Sequence, residues 1–306
     1  MVVNTSIKIG GVEFLNPVIA ASGTYGFGHE YADYVDLNKV GGISVKGLTL
    51  LPRLGNNTPR IAETPSGILN SVGLQNPGVD AFISDEIPYL KQFKTKIIAN
   101  IAGNTVEDYI EMAIRLDETD IDMLEVNVSC PNVKHGCVAF GTTTAGVAEV
   151  TKAVRKATKK PIMVKLTPNV FDIASIAMAA ESEGADAVSL INTITGMVID
   201  VKTRHPVLAN NTGGLSGPAV RPVAVRMVHE VYKAVKIPVV GMGGICSGED
   251  AIQFLLAGAT AVMVGTWNFN NPFACTDVTA GIESYMADNG IRSVSQLTGA
   301  LILNGD

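Results

Sequence analysis

Eight times along this chain a short apolar run ends in Gly, Asn, Ser or Thr and gives way to a stretch with helical spacing. The runs are residues 18–23 (VIAASG), 42–47 (GISVKG), 97–103 (IIANIAG), 124–130 (LEVNVSC), 162–168 (IMVKLTP), 187–193 (AVSLINT), 239–244 (VVGMGG) and 261–266 (AVMVGT). They are apolar almost throughout rather than alternating, the pattern of parallel strands buried on both faces. Helices are expected near 105–117, 144–158, 172–183, 218–235, 248–257 and 274–289. Asn104 or Thr105, Asp172 and Ser247 supply start signals, because their side chains can accept from the free N–H groups of a first turn. Gly258 ends the helix that Ser247 begins. Eight such strands, with strand followed by helix repeatedly, predict an α/β fold of the (β/α)8 TIM-barrel type. IKIGGVEFLN predicts an N-terminal β-hairpin turned at Gly10 and Gly11, covering the barrel bottom. Residues 48–95 are too long for one crossover and rich in Pro, Gly and Asn, which predicts inserted loops over the barrel mouth. No linker, low-complexity tract or charge block breaks the pattern, so residues 1–306 are expected to form a single domain.

Bulk properties exclude several function classes. The net charge is −6 and the 23 Lys and Arg are scattered rather than massed, so no nucleic-acid partner is expected. No apolar segment approaches the roughly 18 residues that span a bilayer. The start MVVNTSIKIG lacks the basic-then-apolar pattern of a signal peptide. No membrane association and a cytoplasmic location are therefore expected. Four cysteines without a C-x-x-C pair and four histidines without H-x-x-x-H spacing argue against a metal or iron–sulfur site in this chain.

Barrels of this kind carry their chemistry at the C-terminal ends of the strands. There the sequence places Ala21, Ser22 and Gly23, then Lys46, Asn100, Asn127 and Cys130, Lys165, Asn192 and Thr193, Gly243 and Gly244, and Gly265 and Thr266. One lysine alone could be a solvated charge and one asparagine a turn former. The same polar pattern on five strands points instead to a site. GMGGI (241–245), with Ser247 capping the next helix, resembles a phosphate cradle in which glycine amides and the helix's positive end face an anion. A tight turn is the plainer reading of such a stretch, and its place on the seventh strand favours the ligand. Cys246 stands where a third glycine would complete a dinucleotide fingerprint. Cys130 is followed by Pro131 and flanked by Asn127 and Asn132. Cysteine is commonly a buried small hydrophobe, but here its thiol, with an ordinary pKa near 8.5, could face a ligand as nucleophile or base once activated. Cys137, Cys246 and Cys275 lack that setting and are expected to be structural. Residues 131–142 and 203–217 are Gly-punctuated and polar, either ordinary connections or lids.

The stretches VKGLTLLPRLGNNTPRIAETPSGILNSVGLQNPG (45–78), NVSCPN (127–132), VKLTPN (164–169), INT (191–193), GGLSGPAVRP (213–222), GMGGI and VGT (264–266) resemble the class 1 dihydroorotate dehydrogenases, FMN-dependent enzymes of pyrimidine synthesis. The likeness runs in order over nearly the whole chain. NSVGLQN, with Gln75, resembles the class 1B branch, which passes electrons to NAD through a second subunit, rather than the fumarate-using branch 1A. The membrane-associated class 2 has an N-terminal apolar extension and a serine base instead.

The resemblance implies oxidation of (S)-dihydroorotate to orotate with one FMN per chain. Cys130 would remove a proton from carbon 5 while hydride leaves carbon 6 for nitrogen 5 of the flavin. It implies substrate contacts from Lys46, Asn70, Gly73, Leu74, Asn127, Asn132, Asn192 and Thr193. Contacts to FMN are implied for Ala21, Ser22, Gly23, Lys46, Gly47, Asn100, Asn127, Lys165, Ile191, Gly217, Gly243, Gly244, Gly265 and Thr266. Lys165 would stabilise negative charge on the reduced flavin's pyrimidine ring. A homodimer of this chain joined to a subunit carrying FAD and a 2Fe-2S cluster, a heterotetramer, is implied as well. That agrees with the residues, because this chain has neither a dinucleotide fingerprint nor a thiolate cluster of its own. The departure from the family is Cys137, where its lid usually carries glycine. Other readings are a barrel aldolase with Lys46 or Lys165 as Schiff base, a phosphate-ligand binding module, a class 1A enzyme, and a relative of dihydropyrimidine dehydrogenase.

Overall fold

The structure is a computed structural model that describes residues 3–129 and 140–305. A hairpin of β1 (Ile7–Ile9) and β2 (Val12–Phe14) leads into the barrel strands β3 (Val18–Ala20) and β4 (Gly42–Ser44). An insertion then carries β5 (Ile61–Thr64) and β6 (Gly67–Asn70). Barrel strands β7 (Lys96–Ile101), β8 (Met123–Asn127), β9 (Ile162–Lys165) and β10 (Ala187–Leu190) follow. A second insertion holds β11 (Ile194–Gly196), β12 (Ile199–Asp200), β13 (His205–Pro206) and β14 (Gly213–Ser216), and β15 (Val239–Met242) and β16 (Ala261–Val264) complete the barrel.

The eight barrel strands close in the order β3, β4, β7, β8, β9, β10, β15, β16, with β16 pairing back onto β3 through Val262 and Val18. Each begins within one residue of its apolar run, and the polar tails of the runs lie at the strand ends or beyond them. The helices Val106–Asp117, Thr144–Ala157, Ile173–Ser182, Arg221–Ala234, Gly248–Leu256 and Ala274–Asp288 occupy the expected segments. Val106–Asp117 buries Tyr109, Met112, Ala113 and Leu116, the i, i+3, i+4, i+7 stripe of a helix with one face on a core. Its start is settled in favour of Thr105, whose hydroxyl accepts from the Asp108 amide in a reciprocal capping box. Asp172 and Ser247 cap as expected. The segment expected to be helical from residue 218 begins as a short 3-10 turn, Pro218–Val220, before the α-helix.

The hairpin turns on Gly10 (φ 54°) and Gly11 (φ 86°), both left-handed as a two-residue hairpin turn requires. A Cβ on Gly10 would lie 3.0 Å from the Cβ atoms of Asp186 and Pro161, just before β10 and β9, so the hairpin does seal the barrel bottom. At the mouth the two insertions are more ordered than the loops expected. β6 pairs with β5 and β14, and β14 with β11, in one four-stranded antiparallel sheet. That sheet has its own small apolar cluster of Ala62, Leu69 and Leu208. Among the described residues no helix is long and apolar enough to cross a membrane, and no group of His, Cys, Asp and Glu could hold a metal ion.

Candidate active site at the barrel mouth

The residues at the strand ends converge on one cleft between the barrel mouth and the inserted sheet. Ala21, Ser22 and Gly23 follow β3, and Lys46 and Gly47 follow β4. Asn127 and Lys165 end β8 and β9, and Ile191, Asn192 and Thr193 follow β10. The insertions add Asn70, Gly73, Leu74 and Gly217, and the last two barrel strands add Gly243, Gly244, Gly265 and Thr266. Asn100 does not line the cleft. It is fully buried inside the barrel, its Oδ1 2.9 Å from where a Cβ on Gly47 would stand. Cys130, Asn132 and Cys137 lie outside the described residues, as does most of the segment 131–142.

One end of the cleft offers backbone donors. The amides of Gly243, Gly244, Gly265 and Thr266 donate to no acceptor among the described residues. Gly243 (φ 133°) and Gly244 (φ 76°) hold conformations that other residues rarely adopt, and a Cβ on Gly244 would meet the Gly217 carbonyl at 2.7 Å. Thr266 Oγ1 donates to Ser216 Oγ at 2.8 Å, tying the end of β16 to β14. The helix Gly248–Leu256 corrects one expectation. Ser247 accepts from the Asp250 amide, while the Asp250 carboxylate accepts from Cys246 N and pairs with Arg221. Its cap and carboxylate thus engage the amides of Asp250 and Cys246, and the glycine amides at the ends of β15 and β16 are the donors that line the cleft.

The other end carries the side-chain chemistry. Lys165 is only 5% exposed, and its ammonium makes no hydrogen bond or ion pair among the described residues. The ammonium of Lys46 lies 3.6 Å from where a Cβ on Gly23 would be. Thr193 Oγ1 is buried with no hydrogen-bond partner among the described residues. Asn127 Oδ1 accepts from the amide and hydroxyl of Ser129, and Asn192 Nδ2 donates to that hydroxyl at 2.7 Å. Ser129 therefore joins two asparagines expected at the site and immediately precedes Cys130. A nearly buried cation and several amides border one space, an arrangement suited to a polar, anionic ligand, while the Thr193 hydroxyl is packed against Gly214.

Sequence reasoning missed Ser129 and the fully buried Glu125. The available signal for Glu125 was an acid interrupting an otherwise apolar strand; for Ser129 there was only its place beside the cysteine. Cys246 was expected to be structural, yet it lines the cleft. Burial, with the Asp250 charge, pushes its thiol up to about 11, so it stays protonated near neutrality. Cys275 is buried, which pushes its thiol up to about 12. Of the segment 203–217, residues 213–216 are a strand paired on both edges rather than a free lid.

The family model described as dihydroorotate dehydrogenase matches residues 4–286. The catalytic subunit of dihydroorotate dehydrogenase B (NAD(+)) from Alkaliphilus metalliredigens is 58% identical over 299 residues, 98% of this chain and 99% of its own length. The subunit of the same name from Geobacter metallireducens is 57% identical over 297 residues, 97% of each chain. A crystal structure of DHODH from Eimeria tenella, in complex with ferulenol, matches 97% of this chain and 88% of its own with a TM-score of 0.81. At 24% identity that is a likeness of fold. Since the family model spans most of the chain and these relatives cover nearly all of it, the chain belongs to the dihydroorotate dehydrogenase family.

Proposed function

We propose that this chain is the catalytic subunit of an NAD-linked dihydroorotate dehydrogenase of class 1B, oxidising (S)-dihydroorotate to orotate in pyrimidine synthesis. The observation that carries the reading is the cleft itself: a buried cation, Lys165, borders the same space as Lys46, Asn70, Asn127, Asn192 and Thr193, with unused glycine amides at the far end.

These residues fit FMN. Gly243, Gly244, Gly265 and Thr266 would hold its phosphate, and Ala21, Ser22, Gly23, Gly47, Ile191 and Gly217 would border the rest. Bound FMN supplies the acceptor for the hydride leaving carbon 6. Lys165 would face the negative charge that grows on the flavin's pyrimidine ring, with no counter-ion of its own among the described residues. Cys130, as thiolate, takes the proton from carbon 5. Ser129, held from both sides by Asn127 and Asn192, fixes where the chain leaves β8 toward Cys130. Lys46 would meet the substrate carboxylate. Asn70, Asn127, Asn132 and Asn192, the Thr193 hydroxyl and the backbone at Gly73 and Leu74 would match its imide edge and remaining oxygens.

Electrons would leave through an FAD and 2Fe-2S subunit bound to a homodimer of this single-domain chain in the cytoplasm, since the chain lacks a dinucleotide fingerprint. The second reading is a class 1A or dihydropyrimidine dehydrogenase-like flavoenzyme. The test is the visible spectrum of the purified protein before and after anaerobic addition of dihydroorotate. A yellow protein that bleaches is expected. A yellow protein that stays oxidised would redirect the search to another reduced pyrimidine, and a protein still colourless after reconstitution with FMN would overturn the reading.

A further inference from the structure

We propose that Glu125 is a positioning residue for this reaction, setting from inside the barrel which way the side-chain amide of Asn100 points and so what Asn127 meets beneath the cleft. The inference rests on the function proposed above. Glu125 is fully buried on β8. One of its oxygens accepts from Ser44 Oγ and Asn100 Nδ2, both at 2.6 Å, and the other from Ser189 Oγ at 2.7 Å.

A carboxylate only accepts hydrogen bonds, so it has one polarity to offer. Asn100 must turn its nitrogen toward Glu125 and its oxygen away, and that oxygen faces Asn127 Nδ2 at 3.4 Å. Asn127 is left with its oxygen toward Ser129, which donates both amide and hydroxyl. Having given its proton to Asn127, the Ser129 hydroxyl accepts from Asn192 Nδ2, and Asn192 Oδ1 accepts from the Thr193 amide at 2.8 Å. The two ends of an asparagine amide are nearly the same size, so packing cannot choose between its orientations. A buried group of fixed polarity can: Glu125 does so for Asn100, while the Ser129 amide fixes Asn127, and the Thr193 amide and the Ser129 carbonyl (3.2 Å) fix Asn192, in the same sense, so that an inverted Asn100 would set donor against donor at Asn127.

The test reverses one link and then restores it, using the FMN-loaded enzyme. Asn100→Asp puts two carboxyl groups in contact. Adding Glu125→Gln to the same chain restores a donor against an acceptor there, returns the total charge to the wild-type value, and leaves an oxygen facing Asn127. Asn100→Asp is expected to raise the FMN dissociation constant and slow flavin reduction by dihydroorotate, each by about tenfold or more near pH 8. The double variant should recover both quantities to within about threefold.

Wild-type behaviour of Asn100→Asp, or a folded double variant that recovers neither quantity, would overturn the inference. Should Asn100→Asp alone fail to fold, the double variant still decides: near-normal FMN binding and reduction support the inference, and a folded but impaired protein overturns it. A wild-type flavin that dihydroorotate does not reduce would overturn the functional reading, and this inference with it.

Discussion

Thr193 holds a buried hydroxyl without a partner among the described residues, a state that costs about 1–3 kcal/mol unless a ligand relieves it. Thr193→Val is therefore expected to raise the unfolding free energy of the substrate-free protein by about 1 kcal/mol in urea titrations while raising KM for dihydroorotate about tenfold. A variant that loses stability and keeps its KM would show that the hydroxyl serves packing rather than ligand. Cys130→Ser is expected to keep FMN and slow flavin reduction by about a hundredfold or more, since a serine hydroxyl is a far weaker base at neutral pH. Unchanged stopped-flow reduction would remove Cys130 from the chemistry. Lys46, Asn127, Lys165 and Asn192 were legible because each follows an apolar run, where a barrel strand must end and side chains can face a ligand. Glu125 was marked only as an acid within an apolar run, and its role was not legible because its partners Ser44, Asn100 and Ser189 lie on other strands.

Elements were legible wherever one segment satisfies itself. Thr105 and Asp108 close a capping box within a single turn, and Thr105→Ala is expected to cost about 1 kcal/mol, read as a shift in the urea midpoint at unchanged slope. The inserted sheet is the opposite case. β6 and β14 are four-residue strands, GILN and GGLS, from insertions whose paired residues Asn70 and Gly214 lie 144 positions apart. Each carries glycine and lacks the continuous apolar run of the barrel strands, so both read as loops until the partner is in place. Their register also matters for the site. A Cβ on Gly214 would fall 1.8 Å from Thr193 Oγ1, so Gly214→Ala must displace Thr193 or the sheet. The expected result is a raised KM for dihydroorotate in steady-state assays, and an unchanged KM would mean that the sheet is not part of the substrate pocket.

At the scale of the whole molecule, distant segments are tied by groups whose charge state matters. Asp117 at the end of its helix accepts from Thr158 Oγ1 and the Lys159 amide, the first of these the larger cause holding its carboxyl below the ordinary 3.8. A carboxyl with a lowered folded-state pKa contributes stability above its unfolded value and loses it as pH falls. The urea midpoint should therefore decline below about pH 4, and decline less in Asp117→Asn. Electron exit also belongs to this scale: NAD(+) should reoxidise the reduced subunit only slowly until the partner subunit is added, as followed by return of the yellow colour. By itself the sequence determined the eight strands, the helices with their caps, and the strand-end side chains, because burial periodicity and capping are local properties of consecutive residues. Only the tertiary structure decided that the two insertions form one sheet, that Asn100 lies beneath the cleft, and that Glu125 ties four strands together. Those facts depend on closing the barrel, which brings residues far apart in the chain within hydrogen-bonding distance, and no window of sequence contains that distance.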